Sequence, residues 1–294
     1  MCGTLCAGFS RQYLTTVVKS LKHIRIAVSL VMLAECAAWV LWGAGAPVPA
    51  VAARQMQIVP SMLGATLASG LSWLLATILL GRVYCSAFCP LGVLQDMAVH
   101  GRRTAALLLR RRHRPFGYKP ARPIRFWMLG AYIVGVVGAV GCLPLLLEPW
   151  PAFVNAVSSV AEGTRHASLA YLGVGALLGF VCAAVSVVMV MAYAFLAGRD
   201  FCNEICPVGT VLGVLSARSA MHIELIPDRC TSCLKCEEVC KASCISIKDR
   251  VVDNTRCVRC FNCVNVCPDN AIRYQLDRTG IISPLLQRHP EASS

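Results

Sequence analysis

Four stretches of this chain are apolar over the length of helix that crosses a lipid bilayer, about 20 residues. They run from about Ile24 to Ala44, Val59 to Leu80, Phe126 to Leu147 and Leu169 to Ala197. Lipid offers a backbone no hydrogen-bond partners, so each stretch is expected to be helical. The fourth is longer than a bilayer requires and is expected to tilt or to extend beyond it. The first is too long for a leader peptide, and Glu35 and tryptophans stand where a small-residue cleavage site belongs, so it reads as a retained helix. Composition agrees: 56% of the 294 residues are hydrophobic and only 15% charged, which excludes an ordinary soluble domain.

Charge gives these helices a direction. Of 28 Lys and Arg, Arg11, Lys19, Lys22 and Arg25 precede the first span, and ten lie between the second and third. Arg54 and Arg165 alone occupy the other two loops, and the remaining twelve follow the fourth span. Cationic loops stay in the cytoplasm, so both termini and the middle loop are expected there. Trp39, Trp42 and Trp150 then fall towards the outer interface. The net charge of +13 is thus mostly an orientation signal. Arg110–Arg112 reads as a topology determinant touching anionic lipid, not as a nucleic-acid site, since no aromatic platform accompanies it.

Eighteen cysteines are the second constraint. One run is Cys230-x2-Cys233-x2-Cys236-x3-Cys240; another, 27 residues later, is Cys257-x2-Cys260-x2-Cys263-x3-Cys267-Pro268. This duplicated spacing suits two iron–sulfur cubes: each close triplet wraps one cube while the fourth cysteine reaches the other. The spacing predicts one [4Fe-4S] cluster on Cys230, Cys233, Cys236 and Cys267, and a second on Cys257, Cys260, Cys263 and Cys240. Zinc usually takes four ligands in two pairs and suits this pattern less well. Disulfides are disfavoured in a reducing compartment. From about Met221 to Gln275 the segment resembles the bacterial two-cluster ferredoxin domain. It departs from it at Lys241, where proline usually follows the fourth cysteine, and at Cys244, a rival ligand to Cys240 or else a small buried residue.

A further motif occurs twice. Gly81-Arg82-x-Tyr84-Cys85-x3-Cys89-Pro90-Leu91-Gly92 follows the second span, and Gly198-Arg199-x-Phe201-Cys202-x3-Cys206-Pro207-Val208-Gly209 follows the fourth, 117 residues on. The membrane part therefore reads as two repeated hairpins. Cysteines four apart on a helix share a face, and two pairs together would offer four thiolates, a complete set for a cluster or a tetrahedral metal. Arg82 and Arg199 would favour thiolate and balance a cluster's charge. Redox-active thiols and plain structural turns are the other two readings of Cys85, Cys89, Cys202 and Cys206.

Taken together, four helices, two Cys-x3-Cys-Pro motifs and a two-cluster tail resemble the membrane-bound polyferredoxins of bacterial respiratory systems. The layout is most similar to the ferredoxin-type quinol dehydrogenase membrane component of periplasmic nitrate reductase systems. The expected fold is an α-helical membrane protein with four transmembrane helices and a small α+β ferredoxin-like cytoplasmic domain. Its expected divisions are a cytoplasmic segment 1–23, a membrane domain 24–220, the two-cluster domain 221–276 and a tail 277–294. The resemblance implies a multi-pass protein of the bacterial inner membrane that passes electrons between the quinone/quinol pool and a respiratory partner. It would act as a subunit of a quinol dehydrogenase-type complex, alongside a second ferredoxin-type protein or a cytochrome. A maturation or redox-sensing role, reducing a metal or thiol, is the alternative.

Weaker features remain. Glu35 sits mid-span, where a carboxyl either serves proton transfer beside a quinone or is bonded within the bundle. His100 and His166 are interfacial histidines, solvated or assisting quinone chemistry. Cys36, Cys142 and Cys182 read as packing residues, and Cys2 and Cys6 as an unassigned end. Cys-x2-Cys-His haem attachment, dinucleotide fingerprints and phosphate loops are all missing from the sequence.

Overall fold

The computed structural model describes residues 3–58, 67–110, 115–138 and 174–276, with short stretches between 147 and 158. Cys2, Cys142, Arg111, Arg112, Arg165 and His166 lie outside the described residues, as do the side chains of Cys6 and Cys182. Helix α1 (Gly3–Trp42) runs unbroken for 40 residues. A 3-10 turn, Gly43–Gly45, leads to α2 (Val48–Gln55). After α3 (Leu67–Leu80) come α4 (Val83–Ala87), α5 (Pro90–Leu108), α6 (Ile124–Val137) and α7 (Val174–Ala197). A π-helical turn, Phe201–Ile205, and α8 (Pro207–Ser216) complete the helical part.

One helix among the described residues is long and apolar enough to cross a membrane: Ser20–Trp42 within α1. The described parts of the second and third expected spans, α3 and α6, are 14 residues each, or about 21 Å of helix against a hydrocarbon core of about 30 Å. The chain beyond α2 also folds back against α3 and α4. Trp73 Nε1 donates to Met56 O at 2.7 Å, and Tyr84 Oη accepts from Ile58 N–H at 3.3 Å while donating to Gln57 Oε1 at 2.9 Å. Residues 59–66 of the second expected span lie outside the described residues. Near the far end of α1, Trp39, Trp150 and Phe153 form a second, separate cluster with Met32 and Cys36, and Arg54 lies over the Trp39 ring at 4.6 Å. Glu35 is half-buried on α1 and His100 is exposed on α5.

The tail is a small α+β unit. Strand β1 (Met221–Leu225) pairs antiparallel with β4 (Ile272–Leu276), Met221 opposite Leu276. Strand β2 (Ile245–Ser246) pairs with β3 (Val251–Val252). Short helices α9 (Lys235–Glu238) and α10 (Asn262–Val266) each carry the third cysteine of a run. The 27-residue duplication is legible in the backbone itself. Ser232 and Arg259, Leu234 and Phe261, and Ser243 and Asn270 are matched pairs of left-handed residues. Side chains other than glycine pay for that conformation, so its recurrence at equivalent positions marks loops of one shape.

Candidate iron–sulfur sites

The two Cys-x3-Cys-Pro motifs fold alike. In each, the second cysteine closes a widened turn: Cys89 N–H donates to Tyr84 O at 3.0 Å and Cys206 N–H to Phe201 O at 2.9 Å. Such five-residue turns recur at functional sites. Proline then occupies the first position of the next helix, with Cys89 and Cys206 as extended N-cap residues of α5 and α8. Gly209 N–H donates to Cys206 Sγ at 3.4 Å, so the thiol sits where a helix start favours negative charge. Cys85, Cys89, Cys202 and Cys206 converge in one buried cluster with Tyr84, Leu91, Phe201 and Leu212. Cys202 Sγ donates to the buried Gln95 Oε1 at 3.2 Å.

The arginines cross between the repeats. Arg82 of the first donates to Cys202 O of the second at 3.0 Å, and Arg199 of the second donates to Cys85 O of the first at 2.9 Å. Both are at most 1% exposed. Glycine at 92 and 209 makes this exchange possible. A Cβ at Gly92 would lie 2.3 Å from Cys85 O, and one at Gly209 would lie 2.0 Å from Cys202 O. Arg82 Nη2 also approaches Cys85 Sγ at 4.0 Å, as the motif leads one to expect. The crossing itself, a two-fold exchange between distant segments, has no signal in the sequence.

The tail is joined to this base by buried charge. Asp96 on α5 meets Arg25 of α1 at 3.0 Å, Arg199 at 2.6 Å and Lys241 of the tail. Burial pushes Asp96 up, but Arg199, Lys241 and Arg25 more than reverse this and hold its carboxyl well below the usual range. Asp200 likewise pairs with Arg256 at 3.1 Å and with Lys119. Arg82 Nη1 reaches Asn203 Oδ1 at 2.6 Å and Thr255 O at 3.1 Å. Lys241, the departure from the ferredoxin pattern, accepts the Arg199 N–H at 2.8 Å through its carbonyl. It is an anchor. Sequence reasoning missed Asp96, though one signal was present: it is the only acid between Gly81 and Arg125, among ten cations.

In the tail, Cys230, Cys233, Cys236 and Cys267 line one concavity with Thr231, Leu234 and Asp269. Cys240, Cys257, Cys260 and Cys263 are all buried in the domain core. Cys244 lies among them, its Sγ 3.5 Å from Cys240 Sγ. Cys240 and Cys267 each accept an N–H from the residue four places on, Cys244 and Ala271. Cys244 thus occupies the place that a small buried alanine takes in the other half. The neighbouring Cys244 thiol pulls Cys257 down to about 5 against the opposing effect of burial, with help from Arg259.

Burial pushes the thiols of Cys89, Cys202, Cys206, Cys260 and Cys263 up. They would ionise together only around a group supplying positive iron or another metal. Among the described residues no three His, Cys, Asp or Glu side chains are gathered for a single metal ion; a cube of iron and sulfide spreads its ligands more widely. Six cations, Arg25, Arg82, Arg199, Lys241, Arg256 and Arg259, are buried, and their ion pairs reach only Asp96, Asp200 and Glu204 among the described residues. Nε of Arg82, Arg256 and Arg259 has no hydrogen-bond partner there. Buried cations need counter-charge, and thiolate-bound clusters supply it. The residues fit such groups.

Comparison with known proteins points the same way. A family described as a 4Fe-4S binding domain matches residues 63–115 and 176–224, and a second of the same description matches 250–273. The chain is 30% identical over 182 residues to the methylamine utilization ferredoxin-type protein MauN of Paracoccus denitrificans, covering 62% of this chain and 54% of that protein. It is 26% identical over 194 residues to the ferredoxin-type protein NapH of Haemophilus influenzae, covering 65% and 56%. The chain spans about half the length of the curated relatives it matches. No solved structure matches it. The 4Fe-4S binding-domain matches and the ferredoxin-type relatives agree with iron–sulfur clusters on this chain's cysteines. Both repeats and the tail are thus matched by 4Fe-4S binding-domain families, and the chain is similar to the ferredoxin-type proteins MauN and NapH.

Proposed function

We propose that the chain carries electrons between the quinone/quinol pool of the bacterial cytoplasmic membrane and a respiratory redox partner, as a subunit of a quinol dehydrogenase-type complex. Cys230, Cys233, Cys236 and Cys267 hold one [4Fe-4S] cluster and Cys257, Cys260, Cys263 and Cys240 the second. Cys85, Cys89, Cys202 and Cys206 hold a third centre at the membrane base. When bound, such clusters take up and release single electrons, while a quinol gives up two electrons and two protons. The chain's residues position and tune these groups.

The observation that carries this reading is the convergence of the four motif cysteines into one buried cage. Two crossed arginines close that cage, and Arg82 also bonds to the tail. Structural turns alone would not require four buried thiols beside Arg82, a buried cation with no carboxylate partner among the described residues. The membrane part of the proposal, two hairpins inside the bilayer with the clusters cytoplasmic, is supported by apolar side chains turned outward. Trp127 is 77% and Val137 83% exposed, a surface that suits lipid and not water. The cationic middle loop and tail give the orientation.

Cys85→Ser tests the third centre. We expect iron and sulfide content to fall by one cluster's worth and one paramagnetic signal to vanish, with the two tail signals intact. An unchanged iron content and spectrum would sink the assignment. Reduction of the tail signals by a quinol analogue in membranes tests the quinone part.

A further inference from the structure

The two cysteine sets of the tail differ in their surroundings. In the inner set, Cys240, Cys257, Cys260 and Cys263 are each at most 9% exposed. In the outer set Cys233 is exposed and Cys230 and Cys267 half-buried. The outer four line a concavity on a surface where residues 227–229 and 231–235 are all exposed. Leu234, 50% exposed and in a left-handed conformation, stands at its edge.

The inner set is also the one tied to the membrane base. Lys241 directly follows Cys240; its carbonyl takes the Arg199 N–H at 2.8 Å and its ammonium meets Asp96. Thr255, two residues before Cys257, accepts from Arg82 at 3.1 Å. Arg259, between Cys257 and Cys260, packs so closely on Gly81 that a Cβ there would meet its guanidinium at 2.4 Å. Two segments bearing inner ligands, one at Cys240 and the other over residues 255–260, are therefore held against the two repeats through Gly81, Arg82, Asp96 and Arg199.

We infer that the tail is docked with a fixed polarity. The inner set faces the Cys85/Cys89/Cys202/Cys206 cage, with Lys241, Arg82 and Arg259 as positioning residues. The outer set, with the surface around Cys233 and Leu234, is the contact face for a soluble one-electron redox protein. This rests on the reading of the buried cage as a redox centre. Electron exchange falls steeply with distance, so a partner in solution must approach the cysteines that reach the surface. A small contact with one apolar residue at its edge also matches transient redox encounters, which bury little area.

The test uses the full chain in detergent with its clusters in place. Chromium(III) oxalate, a soluble paramagnet, should raise the half-saturation power of the outer signal several-fold and that of the inner signal less than twofold. Cys233→Ser and Cys260→Ser, each shifting one signal, identify which is which. Equal relaxation, or stronger relaxation of the inner signal, would overturn the polarity. Leu234→Asp, which suits a left-handed position better than most residues, should slow oxidation by a soluble two-cluster ferredoxin at least five-fold with iron content and spectra unchanged. An unchanged rate would overturn the docking face. Lys241→Met should weaken magnetic coupling between the base centre and the inner signal at unchanged iron content; retained coupling would remove Lys241 from the joint. Failure of the underlying reading shows separately, as unchanged iron in Cys85→Ser, and leaves the relaxation contrast measurable.

Discussion

Single residues carry more of this architecture than their size suggests. Gly92 and Gly209 lie where a methyl group would strike the carbonyls of Cys85 and Cys202. Gly92→Ala should cost about 1–3 kcal/mol through overpacking and lower the thermal midpoint of the helical part, with loss of the base centre from the spectrum. Asp96 holds three cations from three separate parts of the chain. Asp96→Asn leaves them unpaired, at a cost of about 3–5 kcal/mol. Limited proteolysis should then release the tail far faster than from the wild type. The pH dependence has a definite sign. Because the folded carboxyl is held below its unfolded value, its stabilisation is fully present above the ordinary value of about 4 and is lost as pH falls below it. Tail release by protease should therefore accelerate below about pH 4 in the wild type, and much less in Asp96→Asn.

At the level of elements, the repeats divide into what spacing reveals and what it leaves open. The 27-residue duplication was legible from cysteines alone, and the left-handed pairs repeat it in the backbone. The 117-residue duplication foretold two similar turns, and both close with the same widened bond. Spacing left Cys240 and Cys244 as rival ligands, since both fall within reach of one loop. The fold adds one distinction: Cys244 falls where Ala271 stands in the other half, and its backbone N–H donates to Cys240 Sγ as that of Ala271 does to Cys267 Sγ. Cys244→Ala should therefore retain two tail clusters with a shifted inner potential, whereas Cys240→Ala should lose the inner one, as read by iron content and redox-titrated paramagnetic resonance. The crossing of Arg82 and Arg199 was not legible. It joins residues more than 110 positions apart, and local pattern holds no information on which distant carbonyl an arginine will find.

For the whole molecule, protease added to inside-out vesicles should trim the 221–294 segment, and right-side-out vesicles should protect it; the reverse result would invert the proposed orientation. The chain's apolar stretches and cysteine runs already dictated a helical, iron–sulfur-binding protein, because bilayer length and ligand spacing are local properties that survive without tertiary context. Of the four spans expected from hydropathy, one is matched by a helix long and apolar enough to cross a membrane among the described residues, since hydropathy reports what a segment avoids and not where its helix begins and ends. Folding alone set the relation between the parts. Asp96, the crossed arginines and Lys241 join the helical base to the inner cysteines. Buried charges must be paired wherever they meet, and where they meet is a property of the assembled chain.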